Sequence, residues 1–586
     1  MEGTGREAKK LVLVGNGMAG VRTVEHLLKL APGAYDITIF GAEPHPNYNR
    51  IMLSSVLAGE ADMKGIVLND LDWYEENGIR LFLGHTVTRI DVKNRKVVSH
   101  LGAEAEYDAL ILATGSKPFM LPVPGTDKEG VLAFRDIADC EYMKEASRKY
   151  RKAAIIGGGL LGLEAARGLL NLGMDVTVVH IFPYLMERQL DETAARMLQR
   201  QLEAQGMKFL MQKQTVGILG RKRAQGLAFS DGTELEADLV VMAVGIRPNV
   251  ELAKAAGIRV ERGIVVNDFM ETSEPGIYAV GECAEHRGVV YGLVAPLYEQ
   301  GAVLAKRLAG VETEGYAGSV VSAKLKISGV DVYSAGRFDE GPGTRTLRYQ
   351  DEVAGVYKKL VFEGDRLAGV VLFGDTGDGA MLFSLVRKGE PVAGKERQLL
   401  LGAEADAASG GVERRLEAMA DDEIICGCNG VSKGTIVDAI VNKGCTSVNA
   451  VKACTRASGS CGGCRPLVEG LVRLYAKETA GEGEAVKEGI CGCTSLGRDE
   501  LVDAIRRLGL KSVKEVMRVL EWRTPEGCSK CRPALNYYLG MLWPTEYRDE
   551  RESRFTNERY HANIQKDGTY SVVPRIYGGV TSPAEL

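Results

Sequence analysis

The glycine motif G-x-G-x-x-G occurs twice in this chain, each time between an apolar strand pattern and an amphipathic helix pattern. The glycines are Gly15, Gly17 and Gly20 in the first glycine turn, and Gly157, Gly159 and Gly162 in the second glycine turn. In this setting the backbone amides and the helix N-terminus can approach a pyrophosphate closely. The two turns therefore predict two Rossmann-like dinucleotide-binding domains and an α/β fold class.

The segments around each turn predict how the dinucleotides are held. Strands are expected at 10–14 and 36–40, and the same strand, helix and strand pattern recurs over 153–179. An acidic residue for the ribose hydroxyls should follow the second strand of each domain, and Glu43 is the nearest candidate in the first. In the second domain His180 takes this place and no arginine pair follows. The choice between NADH and NADPH therefore stays open, with NADH slightly favoured.

Two dinucleotide sites in one chain indicate hydride transfer from one cofactor to another. A nicotinamide that delivers to a flavin explains both sites, because the cofactors supply the reactivity that side chains lack. Hydride transfer depends on alignment and distance more than on an acid or a base, so no side chain is assigned a catalytic role. The alternative is a second domain that is a duplicate without a cofactor.

Eight of the twelve cysteines form a repeated pattern in which a C-x-C pair is followed by a C-x-x-C pair. The first set is Cys426, Cys428, Cys461 and Cys464, and the second set is Cys491, Cys493, Cys528 and Cys531. The segments inside each set are also alike, which indicates two copies of one small module. In a reducing compartment such pairs favour metal ligands over disulfides. The spacing alone allows either zinc or an iron–sulfur cluster.

Composition excludes several classes of partner. With 586 residues the chain is long enough for about four domains. A net charge of −5 and a pI near 6.0, without a long basic run, exclude nucleic acid or an anionic membrane as the main partner. The N-terminus leads into a strand without an apolar signal region, and no run reaches the about eighteen apolar residues of a membrane helix. We therefore expect a cytoplasmic protein.

Three further motifs carry a resemblance to a known family. They are "YDALILATGSKP" at 107–118, "ADLVVMAVGIRPN" at 237–249 and "EPGIYAVGECAEH" at 274–286. With the two glycine turns, they make residues 10–315 resemble the FAD-dependent pyridine-nucleotide reductases that have two dinucleotide-binding domains. The resemblance implies that the first turn binds FAD and the second binds NAD(P)H. It also implies cofactor contacts at Glu43, Arg50, Thr114, Gly115, Gly245, Gly281 and Glu282.

The remaining cysteines separate this chain from the disulfide-reducing members of that family, which carry a redox cysteine near the first long helix. Here the first cysteine is Cys140, so the flavin is expected to pass its electrons elsewhere. Cys283 is interpreted as a small buried residue in a turn. Cys445 and Cys454 are predicted to be core thiols, because the matching positions of the second module are Leu510 and Val519.

The regions after residue 315 predict three kinds of structure. Residues 316–400 alternate apolar and polar positions and then show a helix pattern, which predicts an antiparallel sheet with a helical cap. Polar stretches at 401–422 and 477–489 predict flexible linkers, which suit electron carriers that move. The cysteine modules resemble the bacterioferritin-associated ferredoxin fold, which holds a [2Fe-2S] cluster through four cysteines. This resemblance implies two [2Fe-2S] clusters; structural zinc is the alternative, above all for the second set.

The whole chain resembles the large subunits of assimilatory NAD(P)H nitrite reductases and the related electron-transfer subunits of assimilatory nitrate reductases. The phrases that carry this are "PHPNYNRIMLSSVLAGE", "HIFPYLMERQLD", "WRTPEGCSKCRPALNYYL" and the last residues from "SRFTNERYH". The resemblance implies that electrons pass from NAD(P)H through FAD and the clusters to a sirohaem domain or subunit, which reduces nitrite to ammonia in nitrate assimilation. The alternatives are delivery to a nitrate reductase catalytic subunit, a ferredoxin-type or rubredoxin-type reductase, and a flavoprotein sensor with structural zinc.

The same resemblance implies the division into domains and the limits of the cofactor set. The implied domains are 1–118 and 246–315 for FAD, 119–245 for NAD(P)H, 316–400 for the α+β reductase C-terminal domain, 401–422 for a linker, 423–478 and 488–543 for the two helical [2Fe-2S] modules, and 544–586 for the incomplete start of a nitrite and sulfite reductase ferredoxin-like domain. No cysteine follows Cys531, so sirohaem and [4Fe-4S] are not expected on this chain. The C-terminal reductase domain often joins subunits in the family, which is compatible with a homodimer.

Overall fold

The computed structural model falls into two compact units, residues 1–476 and 477–586, and each is described by itself. The residues described are 8–325, 327, 329–401, 416–417, 419–460, 462–479, 490–491, 493–494, 496–524, 527–528 and 531–548. Cys461, the linker residues 402–415 and 480–489, and most of the predicted domain 544–586 lie outside them. Among the helices described, none combines the length and the apolar character needed to cross a bilayer.

The first glycine turn belongs to a sheet of five parallel strands. In sheet order these strands are Ile277–Ala279, Ala109–Leu112, Lys9–Val14, Tyr35–Gly41 and Arg80–Leu83. The helices of this region are Met18–Leu30, Leu71–Glu76, Glu251–Ala255 and Val294–Leu308. Leu11, Leu13 and Leu110 are at most 1% exposed, as expected for a parallel sheet that is covered on both faces.

The second glycine turn belongs to a matching five-stranded parallel sheet. Its strands, in sheet order, are Lys208–Leu210, Asp175–Val179, Lys152–Ile156, Leu239–Met242 and Val131–Ala133. The helices of this region are Leu53–Leu57, Ile137–Lys149, Leu160–Asn171 and Glu192–Ala204. In both sheets the glycine turn follows the central strand and begins the next helix, which is where an open α/β sheet binds dinucleotides.

Smaller elements connect and flank the two sheets. The antiparallel three-stranded sheets are Val87–Asp91, Lys96–Ser99 and Glu104–Glu106, and Thr215–Leu219, Gly226–Phe229 and Glu234–Glu236. The two-stranded pairs are Ser116–Pro118 with Ile246–Pro248, and Ile264–Val266 with Ala284–His286. The short 3-10 helices before residue 70 are Arg50–Met52 and Lys64–Ile66.

An antiparallel five-stranded sheet follows, as the alternating pattern predicted. Its strands, in sheet order, are Ser322–Lys324, Val332–Gly336, Arg366–Phe373, Val356–Glu363 and Thr344–Asp351. The helix Gly379–Lys388 packs on the strands Val332–Gly336 and Arg366–Phe373 through buried Leu382 and Val386. A short helix, Glu396–Leu401, ends this part.

The first module completes the first unit. It has a two-stranded pair, Ile424–Cys426 with Val431–Ser432, a 3-10 turn at Gly427–Asn429, and the helices Lys433–Val441, Val448–Thr455 and Arg465–Thr479. Leu416, within the predicted linker 401–422, is 1% exposed and packs in the core of this module. The buried ammonium of Lys433 donates to the carbonyl oxygens of Glu417, at 3.0 Å, and Met419, at 2.6 Å. The end of the predicted linker is therefore part of the folded module.

The second module repeats the helical pattern in the second unit. Its helices are Arg498–Leu508, Val513–Val519 and Cys531–Leu542. Leu501, Val516 and Leu535 are fully buried between them. The prediction of two Rossmann-like domains, an α+β domain and two small helical modules is thus confirmed as a fold class, whereas the predicted domain boundaries stay predictions.

Candidate functional site

A cavity of about 1470 Å³ in the first unit is the candidate site. Its lining includes both glycine turns, and also Glu43, Arg50, Thr114, Gly115, Gly245, Gly281 and Glu282, the residues that the family resemblance assigned to cofactors. Three cysteines of the first set, Cys426, Cys428 and Cys464, line the same cavity. The fold therefore brings the two predicted dinucleotide sites and these thiols to one continuous space.

The first glycine turn has the shape of a pyrophosphate cradle. Gly15 has φ +114°, and a Cβ there would collide with the carbonyl of Ala113. By contrast, a Cβ on Gly17 would meet nothing within 4 Å, so this glycine faces open cavity. Gly17 also precedes the helix Met18–Leu30 without a side-chain cap. The free amides and the positive end of the helix dipole fit the phosphates of a dinucleotide.

The second glycine turn repeats this geometry. A Cβ on Gly162 would collide with the carbonyl of Gly157, because helix and strand approach closely here. Gly159 faces open space and begins the helix Leu160–Asn171 without a side-chain cap. Both turns therefore fit a dinucleotide, which argues against a second domain that has lost its site.

Glu43 and Arg50 lie together at the cavity wall. The Arg50 guanidinium forms an ion pair with Glu43 and donates to the carbonyl oxygen of Arg135 at 3.2 Å. The Tyr48 hydroxyl donates to the same Glu43 carboxylate at 2.7 Å, and burial raises the pKa of Tyr48. Glu43 is therefore fixed at the cavity wall by two neighbours, and its predicted ribose contact stays a prediction.

Glu282 also lies at the cavity wall and is held in a similar way. Its carboxylate pairs with Arg135 and accepts the Ser116 hydroxyl at 2.7 Å. The Thr114 hydroxyl donates to the carbonyl oxygen of Asn249 at 2.7 Å, which ties together the ends of the strands Ala109–Leu112 and Ile246–Pro248. Arg135 was not singled out in the sequence, although it contacts both predicted flavin groups, Arg50 and Glu282.

His180 lies at the end of its strand, as predicted, and is only 5% exposed. The Gly158 amide donates to His180 Nδ1 at 3.0 Å, so the ring proton is on Nε2, which lies 3.1 Å from the Glu187 carboxylate. Burial alone would raise the pKa of Glu187, but the hydrogen bond from His180 lowers it overall. An ionised carboxylate therefore lines the cavity beside the second glycine turn.

Three cysteines of the first set are crowded at the cavity wall. Cys426 Sγ and Cys428 Sγ are 3.7 Å apart, and the Ser458 amide donates to Cys464 Sγ at 3.2 Å. The contact with Cys428 alone would lower the pKa of Cys426, but Cys464 and burial together raise it to about 12. Crowded thiols of this kind lose their protons when a metal centre binds, so the donor set fits an iron–sulfur cluster. Cys461 lies outside the described residues.

The first module is docked on the helix that follows the first glycine turn. Arg22, on the first helix, donates to the carbonyl oxygens of Asn429, at 3.1 Å, and Gly430, at 3.2 Å. From the module side, Arg456 donates to the carbonyl oxygen of Leu68. Both guanidiniums contact the buried carboxylate of Glu25, at 2.7 Å and 3.5 Å respectively. Two arginines, one from each partner, thus share one acidic group at the contact.

Two further contacts hold the module on other sides. Asn49, next to Arg50, donates to the Ser460 hydroxyl at 2.6 Å. Glu423 accepts the Ser384 hydroxyl at 2.5 Å and pairs with Lys388 at 2.9 Å, both from the helix that caps the antiparallel sheet. The polar linker predicts a mobile carrier, whereas the structure shows this module packed on its neighbours.

The second set of cysteines is brought together in the second unit. The four Sγ atoms of Cys491, Cys493, Cys528 and Cys531 all lie within 4.8 Å of one another. Burial, together with Cys528 and Cys531, raises the pKa of Cys491 to about 12. The Cys528 amide donates to Cys531 Sγ at 3.0 Å. These thiols are close enough to ligate one metal centre.

The other four cysteines have two kinds of environment. Cys140 and Cys445 are buried, and Cys283 is fully buried in its turn, as predicted. Cys454 is exposed, so the prediction that it is a core thiol is wrong. It lies near the end of the helix Val448–Thr455.

Comparison with protein families divides the chain in the same order as the motifs. Residues 9–336 match the pyridine nucleotide-disulphide oxidoreductase family, and residues 322–390 match the rubredoxin NAD+ reductase C-terminal domain. Residues 424–473 and 489–541 each match the BFD-like [2Fe-2S] binding domain. These matches support FAD, NAD(P)H and [2Fe-2S] clusters as the cofactors.

Named relatives cover almost the whole chain. This chain is 60% identical to a nitrite reductase [NAD(P)H] of Bacillus subtilis, over 99% of this chain and 71% of the relative. It is 49% identical to the assimilatory nitrate reductase electron transfer subunit of the same organism, over 99% of this chain and 72% of the relative. It is 37% identical to the nitrite reductase (NADH) large subunit of Escherichia coli, over 98% and 68%.

Solved structures resemble the reductase part. The covalent putidaredoxin reductase–putidaredoxin complex matches with a TM-score of 0.62 and 26% identity, over 69% of this chain and 100% of that one. The NADH:rubredoxin oxidoreductase of Clostridium acetobutylicum matches with a TM-score of 0.56 and 27% identity, over 67% and 99%. Both are reductases by name, which agrees with the two glycine turns and their shared cavity.

Proposed function

Because this chain belongs to the NAD(P)H nitrite reductase family and carries the pyridine nucleotide-disulphide oxidoreductase fold, we propose that it passes electrons from NAD(P)H, through FAD and its two cysteine modules, to a sirohaem nitrite reductase centre. Such a centre would reduce nitrite to ammonia in nitrate assimilation. Bound FAD accepts a hydride and returns electrons singly, and [2Fe-2S] clusters carry single electrons. The proposed site of action is the cytoplasm, where thiols stay reduced.

One observation carries this proposal: the cavity that holds both glycine turns also reaches Cys426, Cys428 and Cys464. A flavin site without cysteines in its wall would suit an enzyme that passes its electrons to a small substrate. Here the wall is formed in part by cysteines of a metal-binding module. The geometry supports electron exit through the first set.

The chain's own residues have binding and positioning roles in this proposal. The first glycine turn, Thr114, Gly115 and Gly281 would hold FAD, with Glu43, Arg50 and Glu282 fixed around it by the contacts described above. The second glycine turn and Gly245 would hold NAD(P)H. The first and second sets of cysteines would hold the [2Fe-2S] clusters. Aligning the reactants is the main task of these residues, and no acid or base is required.

NADH is the proposed coenzyme. The ionised Glu187, held by His180 Nε2 at 3.1 Å, lines the part of the cavity beside the second glycine turn. A carboxylate there can accept a ribose hydroxyl, but it repels a 2′-phosphate. The nearby Lys213 is paired with Asp231.

A nitrate reductase catalytic subunit is the second candidate acceptor. The 49% identity to an assimilatory nitrate reductase electron transfer subunit favours it, because that relative is matched over the same modules. The alternative of a flavoprotein sensor with structural zinc predicts modules without iron. The match of both modules to the BFD-like [2Fe-2S] domain supports the iron reading.

Anaerobic titration with NADH tests the proposal. Absorption and EPR spectra of the full chain would be recorded before and after NADH, with iron and zinc counted on the same sample. We expect the flavin to bleach and a reduced [2Fe-2S] signal to appear. Zinc in place of iron, or clusters that stay oxidised while the flavin bleaches, would refute the proposed route.

Variants sharpen this test. Cys464→Ser should abolish the cluster of the first set while NADH still bleaches the flavin, and Cys140→Ser, at a buried cysteine outside both sets, is the matched control. Adding purified sirohaem nitrite reductase or nitrate reductase catalytic subunit to the reduced protein then separates the two acceptors. Oxidation of the clusters by the nitrate reductase subunit alone would overturn the nitrite assignment.

A further inference from the structure

Cys445 and Cys454 form a pair of thiols outside both metal-binding sets. Their Sγ atoms are 2.8 Å apart, with Cys445 as the donor. A disulfide bond is about 2.0 Å long, so the two Sγ atoms are only about 0.8 Å beyond bonding distance. The burial of the two thiols differs, since Cys445 is 3% exposed and Cys454 is exposed.

This pair has the arrangement of an attacking and a resolving thiol. Cys454 is open to a reagent from solvent, whereas Cys445 lies in the module core behind it. The Cys445 thiol donates to Cys454, and this raises the pKa of Cys445 to about 11. A thiolate on the exposed partner is the nucleophile in thiol–disulfide exchange, and the buried partner completes the reaction.

The pair is connected to the docking contact by one short helix. Cys445 precedes the helix Val448–Thr455, and Cys454 lies in its last turn. The next residue after the helix, Arg456, has φ +65° and carries the guanidinium that reaches Leu68 and Glu25. The Arg456 carbonyl oxygen in turn accepts the Asn429 side chain at 2.7 Å. A bond between the two sulfurs would therefore restrain the helix that ends at the docking arginine.

We propose that Cys445 and Cys454 are a site of reversible disulfide formation, which exchanges with small-molecule disulfides and steadies the docked state of the first module. The Cys454 thiolate attacks one sulfur of the reagent and releases one reagent thiolate. The Cys445 thiol, losing its proton, then attacks Cys454 Sγ and releases the second reagent thiolate. The two protein sulfurs are oxidised by two electrons in total, and the reagent disulfide is reduced to two thiols.

The second module provides a natural comparison. Its matching residues are Leu510, which is 3% exposed, and Val519, which is 43% exposed. The second module thus has one buried and one exposed residue at these two positions, and neither residue contains sulfur. The helical module therefore does not require the two thiols for folding. The double variant Cys445→Leu/Cys454→Val is therefore expected to fold.

Glutathione disulfide, added anaerobically to the full chain with its cofactors bound, tests the exchange. Peptide mass spectrometry should find a bond between Cys445 and Cys454 in the wild type, without bound glutathione. Cys445→Ser should instead retain glutathione on Cys454, because the resolving thiol is missing. Glutathione that persists on Cys454 in the wild type, or its absence from Cys445→Ser, would overturn the proposal.

Hydrogen exchange tests the link to docking. In the wild type, formation of the bond should slow exchange at residues 448–460 severalfold, and a reducing agent should restore the original rate. The variant Cys445→Leu/Cys454→Val should show no response to glutathione disulfide. Equal exchange rates in the oxidised and reduced wild-type protein would overturn the proposed effect on the docked state.

Discussion

Replacing Arg22 with alanine should loosen the first module without touching the cofactor cradles. Arg22 does not line the cavity, yet its guanidinium donates to the carbonyl oxygens of Asn429 and Gly430 and pairs with Glu25 at 2.7 Å. It also lies over the Tyr298 ring, 5.5 Å from its centroid. The change therefore removes two hydrogen bonds between the module and the FAD-binding region, and half of the arginine pair around Glu25.

The size of the effect follows from these contacts. Hydrogen bonds from a charged donor contribute about 1.5–3 kcal/mol each, so the two carbonyl contacts are worth about 3 kcal/mol at the lower limit. Burial alone would raise the pKa of Glu25, but Arg22 and then Asn69 lower it overall. In Arg22→Ala the carboxylate keeps the hydrogen bond from Asn69 and the Arg456 guanidinium at 3.5 Å. We therefore expect the docking equilibrium to weaken by about 100-fold.

Hydrogen exchange on the full protein measures this directly. Amides of residues 427–432 and 455–460 should exchange about 100-fold faster in Arg22→Ala, if undocking limits their exchange. Stopped-flow absorbance should show that NADH reduces the flavin at the wild-type rate. A fall in the rate of cluster reduction, at an unchanged rate of flavin reduction, would assign the loss to docking.

Arg196→Ala is the matched control, because Arg196 is an exposed arginine that pairs with Glu192 four residues away on the same helix. Such a pair is worth about 0.5 kcal/mol, so neither exchange at the docking contact nor cluster reduction should change. If Arg22→Ala changes exchange at the contact by less than about threefold, under 1 kcal/mol, the docking contacts do not have the strength assigned to them.

Three further outcomes are expected. Glu187→Gln should raise kcat/KM for NADPH relative to NADH by about tenfold, or 1.4 kcal/mol, because the anion that repels a 2′-phosphate is gone. Steady-state kinetics with both coenzymes measures this ratio. An unchanged ratio would show that Glu187 has no such role. Burial and then Arg22 lower the pKa of His26 from 6.5 to about 4, so the folded protein should lose about 3 kcal/mol as the pH falls from 6.5 to 4. Thermal unfolding across this range should show a smaller loss in His26→Gln, and parallel Tm curves would contradict the assignment. Cys528→Ser should halve the iron content and leave flavin bleaching intact, as judged by metal analysis against Cys140→Ser, whereas unchanged iron would remove Cys528 from the ligand set.

The sequence predicted the elements of the fold because their patterns are local. A glycine turn between a strand and a helix involves about twenty residues, and the alternation at 344–373 involves neighbours on paired strands. The cysteine repeats predicted the two modules for the same reason. Contacts between distant segments were not predicted, because no period or spacing encodes them: Arg22 reaches Asn429 across 407 positions, and Arg135 reaches Glu282 across 147.

The error at Cys454 has a specific physical cause. Its matching residue, Val519, is apolar, but an apolar residue at a matching position indicates a core site only where that residue is itself buried. Val519 is itself 43% exposed, since folded proteins leave many apolar side chains at the surface. At the other position, Leu510 and Cys445 are both 3% exposed, so the prediction of a core thiol at Cys445 is confirmed. The matching residues of the two modules are therefore either both buried or both exposed. Their apolar character alone does not predict which of the two positions is buried.

The packing of the first module shows why a polar linker does not imply a mobile domain. Composition predicts the flexibility of the linker. Whether the module after the linker is docked depends instead on the contacts that the surface of the module makes. Here Glu423 begins the module already bound to Ser384 and Lys388, while Leu416 is buried in its core. A module held in this way already places Cys426 at the cavity wall. Electron exit through the first set then needs no movement of the module, and loosening it, as in Arg22→Ala, should slow that step.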